Sequence, residues 1–395
     1  MSISSLKSEL RLCTVAAALA FAASSSMALA TVKVQQVNLV TDSNASLVGL
    51  GFAPAAHEDP NLINPWGVSF GPAGPFWVSN QGTATSTLYN GAGVPQPLVV
   101  SIPQNASGPA GPTGQVFNAS SSFALPSGGK GLFFFANLDG SIAGWNPAQG
   151  TSAVKVASRD LAVYTGLAIG KSGGNDYLYA ANNATGTIDV FDTNFAKAAF
   201  AEGSFVDPGA NPQGLVPFNV RNIGGHLFVT YATPGPDADE AALGTGFVSE
   251  FNLDGTFIRR LAEGGELLSP WGLEIAPSTF GDLAGALLVG NFSEDEGLIN
   301  AFSLTDGSFL GSLLDSQGNE LEIPYLWSIT TGNGGLAGNS GKLYFAAGVG
   351  DEEHGLFGEL SAVPEPGEWT MLLAGFGMMG VALRRRHPTR RTLFS

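Results

Sequence analysis

Six segments spaced about 50 residues apart, each holding three short apolar runs broken by Gly, Asn and Asp turns, predict an all-β fold. A unit of that size cannot bury both of its faces alone, so successive units must stack around an axis. The reading is a single β-propeller of six blades spanning residues 31–362. Composition agrees: 54 glycines, 23 prolines and 44% hydrophobic residues suit many short strands and many turns. The plainest unit runs from Tyr164 to Asp192, with the runs GLAI, YLYAAN and TIDVF.

The other units repeat that plan. The first has NPWGVSF (64–70), PFWVSN (75–80) and STLYN (86–90), and the second VFNASSSFAL (116–125), LFFFAN (132–137) and SIAGW (141–145). The fourth has PFNVRNI (217–223), HLFVTYA (226–232) and FVSEF (247–251). The fifth has PWGLEIA (270–276), LLVGNF (287–292) and LINAF (298–302), and the sixth LWSITT (326–331), KLYFAAG (342–348) and GLFGEL (355–360). An unpartnered early strand, VQQVNLV (34–40), is expected to complete the last blade and leave no open edge. Ser101–Thr113, dense in Gly and Pro, reads as a surface loop.

The two ends read as processing segments. Lys7 and Arg11, the apolar run Leu12–Ala23 and the small-residue close at Ala28 and Ala30 form a secretory signal peptide over 1–30, cleaved after Ala30. Its removal takes away Cys13, the single cysteine, and with it any disulfide, thiolate nucleophile or thiolate metal site. Residues 363–395 carry Val363-Pro364-Glu365-Pro366, then the apolar run Trp369–Leu383, then Arg384-Arg385-Arg386. As a helix that run would be about 22 Å long, short for a hydrocarbon core of about 30 Å, and the arginines would hold its far end in the cytoplasm.

This ordered trio resembles the PEP-CTERM sorting signal of Gram-negative bacteria that make extracellular polysaccharide. The resemblance implies export by the Sec machinery, recognition by an exosortase-type enzyme, inner-membrane anchoring before processing, and delivery to the periplasm, cell surface or medium. An ordinary tail anchor is the alternative. The stretch Asp59-Pro60-Asn61-Leu62-Ile63-Asn64-Pro65-Trp66-Gly67, followed by Phe76-Trp77-Val78-Ser79-Asn80, is similar to an uncharacterised family of secreted bacterial propellers, members of which often end in the same tail. That resemblance implies fold and location and no activity.

The formal charge is −16. Between the two processing segments it is about −20, a field that repels nucleic acid and anionic membrane. The loops after the middle strands of units four to six hold Asp237, Asp239 and Glu240, then Glu294, Asp295 and Glu296, then Asp351, Glu352 and Glu353. The loop into unit one adds His57, Glu58 and Asp59. In a propeller these loops share one face, so they would form an acidic sector. Clustered carboxylates suit calcium, which takes six to eight oxygen ligands, although no loop has EF-hand spacing. A hydrated acidic rim is the competing reading.

Aromatic residues beside Asn or Pro recur where the inner strands begin: Asn64-Pro65-Trp66, Phe117-Asn118, Pro217-Phe218-Asn219, Pro270-Trp271 and Tyr325-Leu326-Trp327. Rings flanked by amides suit polysaccharide; rings at a blade junction also suit packing. Asn80, Asn137, Asn182 and Asn291 end the middle strands and are expected to serve the turns. No motif for a serine nucleophile, a P-loop or a zinc protease occurs, and His57, His226 and His354 are the histidines of the body. Six-bladed lactonases and gluconolactonases hold a metal in the channel with Glu, Asn and Asp. On that likeness of architecture Glu274, Asn118 and Asn219 would be the candidates. The sequence therefore favours a non-catalytic binding or matrix module, with a metal-dependent lactonase-type hydrolase or a purely structural surface component as alternatives.

Overall fold

The computed structural model describes residues 29–105, 111–235, 238, 240–295 and 297–363. The chain opens with β1 (Val32–Thr41), a six-residue helix α1 (Asn44–Gly49) and the short β2 (His57–Glu58). Antiparallel sheets follow in chain order. The first is β3 (Pro65–Phe70), β4 (Phe76–Asn80), β5 (Thr85–Tyr89) and β6 (Val100–Ser101). The second is β7 (Pro112–Phe117), β8 (Phe133–Asn137), β9 (Ser141–Trp145) and β10 (Val154–Ser158), and the third β11 (Tyr164–Ser172), β12 (Asn175–Asn182) and β13 (Thr187–Phe191). The fourth is β14 (Val216–Ile223), β15 (His226–Ala232), β16 (Phe247–Asn252) and β17 (Phe257–Glu263). Then come β18 (Pro270–Ile275), β19 (Leu287–Asn291), β20 (Ile299–Phe302) and β21 (Phe309–Leu314), and finally β22 (Leu326–Thr331), β23 (Leu343–Ala347) and β24 (Leu356–Ala362).

The inner strands β3, β7, β11, β14, β18 and β22 each lie against the next, and β22 returns to β3. Separate hydrophobic clusters sit between successive sheets all the way round. This is a closed propeller. Its faces are buried in pairs, which is why the middle strands β4, β8, β19 and β23 are buried along their whole length and read as continuous apolar runs.

Ring closure falls to β1. It pairs antiparallel with β24 from Val34 opposite Ala362 to Thr41 opposite Leu356, and its first residues run parallel to β21. Val32, Val34, Leu39 and Val40 are buried while Lys33, Gln35 and Val37 face solvent, so the strand's early alternation puts its apolar side into the junction of the last two blades. The early strand thus completes the final blade, as the sequence predicts.

The second inner strand differs from expectation. It is Pro112–Phe117, not residues 116–125, and it begins inside the segment read as a surface loop. Proline lacks the N–H of a ladder and is tolerated at the first residue of a strand, the position that Pro65, Pro112 and Pro270 all occupy. A Gly- and Pro-rich stretch can therefore open a buried strand. The outer strands β6, β10, β17 and β21 escaped the pattern as well. They are half-exposed, and bulges interrupt three of their pairings.

Two buried carboxylates lock outer edges. Asp189 accepts from Lys197 Nζ (2.5 Å), Tyr164 Oη (2.9 Å) and Asn182 Nδ2 (2.9 Å). Burial alone would raise its pKa, but the bonds from Lys197, Tyr164 and Asn182 outweigh it and hold the carboxyl below its ordinary value. Asp207 behaves likewise: burial opposes ionisation, and Arg260, Ser249 and the Gly209 N–H overcome it.

Two outcomes follow from this fold. Val34→Asp in β1 buries an unpaired charge and should cost about 3 kcal/mol or more in urea unfolding, whereas Gln35→Asp on the exposed side should stay within about 0.5 kcal/mol; equal effects would contradict the closure role. Because the folded pKa values of Asp189 and Asp207 lie below those of the unfolded chain, their stabilisation is complete above the unfolded value and is lost as pH falls through the folded one. Tm should therefore decline as pH falls below the ordinary aspartate value of about 4, and less steeply in Asp189→Asn. A flat Tm over that range would contradict the assignment.

Candidate functional site

The six inner strands begin alike. Each carries a bulge at its leading end, and the bulged stretch contains Trp66, Thr113, Thr165, Phe218, Trp271 and Trp327 in turn. The next residue is small or short: Gly67, Gly114, Gly166, Asn219, Gly272 and Ser328. Its size is dictated by the neighbouring strand. A Cβ on Gly67 would lie 2.5 Å from the Thr113 carbonyl oxygen, and one on Gly114 would lie 2.4 Å from the Leu167 nitrogen. The same close approach lets the Asn219 amide donate to the Trp271 carbonyl (2.7 Å) and the Gln115 amide to the Gly67 carbonyl (2.7 Å).

The bulge positions fill the axis. Trp66 stacks on Trp327 with ring centroids 3.3 Å apart, and Trp327 stacks on Phe292 at 3.8 Å. Trp271 meets both Trp66 and Trp327 edge-on, and Phe218 leans on Trp327. All of these rings, with Tyr325, are buried in one cluster. Trp271 Nε1 donates to the Thr165 carbonyl (3.0 Å) and Trp327 Nε1 to Asn64 Oδ1 (3.0 Å). Of the aromatics singled out from the sequence, Trp66, Phe218, Trp271, Tyr325 and Trp327 therefore meet one another across the axis and plug one end of the channel, whereas Phe117 lies at the trailing end of β7. Among the described residues no aromatic side chain is fully exposed. Asn64 is part of the plug's frame: it is buried, sits at φ 44°, and donates to Gln81 Oε1 (3.1 Å) and Glu352 Oε1 (2.9 Å).

Asn118 lies elsewhere. It follows the trailing end of β7, where its amide spans the Ser122 and Gly131 carbonyls and its oxygen takes the Ser120 N–H. Misplacing the second inner strand is what put it beside the plug in the sequence reading. Nor do Glu274, Asn118 and Asn219 converge. One Glu274 oxygen accepts from Arg221 Nη2 (2.7 Å), Thr330 Oγ1 (3.1 Å) and the Thr331 N–H (2.9 Å), and the other from the Ile275 N–H (2.9 Å).

The acidic loops divide between bracing contacts and a shared groove. Glu58 accepts from the Asn44 N–H. Asp59 is buried and takes Tyr89 Oη (2.9 Å) and the Asn61 N–H, and Asp351 takes Tyr325 Oη (2.9 Å). Glu294 and Asp295 line a groove of about 420 Å³ with Glu240 and Leu268. Asp237, Asp239 and Glu296 lie outside the described residues. Among the described residues no group of three or more His, Cys, Asp or Glu forms that could hold a metal. His226 pairs with Glu250 (2.6 Å) and His354 with Asp42 (2.8 Å). Of the middle-strand asparagines, Asn182 and Asn291 accept from the backbone entering their blade, while Asn80 and Asn137 donate to hydroxyls across the following strand.

Beyond the plug the channel stays open. A cavity of about 470 Å³, within the size range of small-ligand sites, runs from Trp271 to the trailing ends of the inner strands at Phe70, Phe117 and Asn222. Its wall is crossed by Arg221, which reaches the Ile329 carbonyl (3.1 Å) two blades away while binding Glu274. Ser69 Oγ and Gln115 Oε1, buried behind this wall, have no hydrogen-bond partner among the described residues. The spacing of the inner-strand residues held the signal for this cavity, once the strands were placed in register.

If the plug is a packed core, Trp327→Ala should cost about 3–5 kcal/mol in denaturant unfolding. A loss under about 1 kcal/mol would show that the rings do not hold the axis.

Val363, the first residue of the predicted sorting segment, is described, and its N–H donates to the Lys33 carbonyl (2.8 Å) just beyond β24. Ala30, the expected signal-peptide cleavage residue, donates its N–H to Leu310. Ala28, Pro364, Glu365, Pro366, Arg384, Arg385 and Arg386 lie outside the described residues, among which no helix is long and apolar enough to cross a membrane. Residues 362–386 match the PEP-CTERM protein-sorting motif. Among solved structures the chain is similar to a streptogramin B lyase (TM-score 0.45, 12% identity, covering 84% of this chain and 97% of that one). It is also similar to the Pan2 WD40 domain of Neurospora crassa (TM-score 0.46, 9% identity, covering 82% and 95%). An uncharacterized protein of Acanthamoeba polyphaga mimivirus is 34% identical over 324 residues, covering 78% of this chain and 76% of its own. A second from the same virus is 32% identical over 323 residues, covering 78% and 82%. The chain belongs to the family of these two viral proteins and is a propeller with a PEP-CTERM protein-sorting motif at its C-terminus.

Proposed function

We propose that this protein is exported, sorted to the cell surface through its C-terminal motif, and acts there as a non-catalytic binding module for extracellular polysaccharide. The observation that carries the reading is the channel, closed at one end by a packed aromatic plug and open at the other to a polar cavity. A blind pocket receives the end or side branch of a polymer; it does not pass the polymer through. The walls favour binding over hydrolysis, because Glu274, the acid bound to Arg221 on the channel wall, is held by four hydrogen bonds and is not free to act as a base. The sorting motif supplies the place: it implies an exosortase-type enzyme as the processing partner and the outer surface as the destination.

The test is co-sedimentation of the exported protein with surface polysaccharide from a bacterium that has this sorting system. Retention on the polymer is expected, and release of its reducing ends is not. A protein that stays in the supernatant with every polymer while folded, or that cleaves them, would contradict the proposal.

A further inference from the structure

We infer that the apolar loop outside the closing strand β1 is a second membrane contact, which lays the rim of the last blade on the bilayer that holds the C-terminal tail. It rests on the sorting reading above and not on polysaccharide binding.

Residues 47–56, LVGLGFAPAA, run without a polar side chain, and no residue between Asp42 and His57 is charged. A run of this kind is normally buried, and an exposed one calls for a function. Here Leu47 and Ala55 are its feet, buried in the core between the last two blades. The rest faces out: Val48 is 52% exposed and Leu50 44%, with Gly49, Gly51, Ala53 and Pro54 exposed beside them. The loop is held in place. Asn38 Nδ2 donates to the Ala53 carbonyl (2.7 Å), Asn44 Nδ2 to the Ala55 carbonyl (3.2 Å), and the Ala56 N–H to the Asn38 carbonyl (3.1 Å). This frame keeps apolar side chains in water, where nothing among the described residues covers them.

Reach and charge name the occupant. The loop is bonded to Asn38 on β1, the strand outside β24 in the last blade. The tail leaves beside the same strand, where the Val363 N–H donates to the Lys33 carbonyl (2.8 Å). From Lys33 to Asn38 is about 17 Å along a strand. From Val363 to Trp369, where the apolar run of the tail begins, the chain reaches at most about 22 Å. A bilayer that takes the run is therefore within reach of the loop. The acidic body is repelled by an anionic surface, and this uncharged patch is where it can meet lipid without burying a charge. A protein partner fits less well, since a stable interface takes about 800 Å² a side, more than these few small side chains offer. The tail also gains from a second contact: as a helix its run would be about 22 Å long against a hydrocarbon core of about 30 Å.

The test uses the exported protein, tail included, on phosphatidylcholine vesicles that carry a nitroxide high on the acyl chain. The single cysteine, Cys13, leaves with the signal peptide, so one substitution places a fluorophore. On Ala53→Cys the label should lose at least about half of its emission to the nitroxide, because an interfacial segment sits about 5–10 Å into the headgroup and acyl boundary. On Ala199→Cys, exposed beside the third blade across the ring, it should keep its emission. Adding Val48→Asp and Leu50→Asp to Ala53→Cys should abolish the quenching, with the urea midpoint and the vesicle-bound fraction unchanged. If that double change moves the midpoint, Val48→Asp alone carries the same expectation. A label at 53 that stays unquenched on vesicle-bound protein would overturn the inference and leave the tail as the anchor, and so would equal quenching at 53 and 199. Shielding of the label from aqueous iodide without quenching by the nitroxide would place a protein, a second copy included, on the loop and overturn lipid as its partner. Protein that does not float with the vesicles would overturn both the inference and the anchoring by the tail, whatever its retention on polysaccharide.

Discussion

Six inner strands can share one axis only because the residue after each bulge gives way to the next strand. At Gly67, Gly114 and Gly166 a Cβ would meet a neighbour at 2.3–2.5 Å, a distance that real side chains do not show. Close approach there forces the preceding residue inward. Where that residue is Trp66, Trp271 or Trp327 the rings meet, two stacked and the third edge-on; where it is Thr113 or Thr165 the space is filled by the rings from across the axis. The plug and the blind cavity are two consequences of one backbone constraint.

That constraint also explains the division of labour around the ring. Blades one, four, five and six supply the aromatics, and blades four to six are tied on the channel side by Arg221 and Glu274. The second and third blades, plainest in sequence, contribute threonines at the bulge, and their glycines let the backbones close up. At the leading face Asp351 and Glu352, both at positive φ, hold Tyr325 and Asn64 and so brace the plug from outside. Acids that look from sequence like a sector awaiting a cation are thus partly structural.

The blades were legible in sequence because middle strands buried on both faces leave unbroken apolar runs, and β1 was legible because an alternating strand without a neighbour must find one. Two things were not. Pro112–Phe117 hides in a Gly-Pro stretch, since a proline at the first position costs a strand no hydrogen bond. That single slip carried Asn118 to the wrong end of the channel. The direction of the tryptophans was also hidden: Asn64-Pro65-Trp66 and Pro270-Trp271 read equally as a binding face or a core until the opposing strands are in place. The sorting tail needed no fold to be recognised, because its signal is linear.

The most direct test of the account is an experimental structure of the mature protein with an oligosaccharide. The account predicts sugar density in the channel, beside Phe70 and Phe117, with Trp66 and Trp327 still stacked and Trp271 still edge-on to both. Density on the acidic rim instead, or an axis in which the tryptophans have separated to let the ligand through, would contradict it.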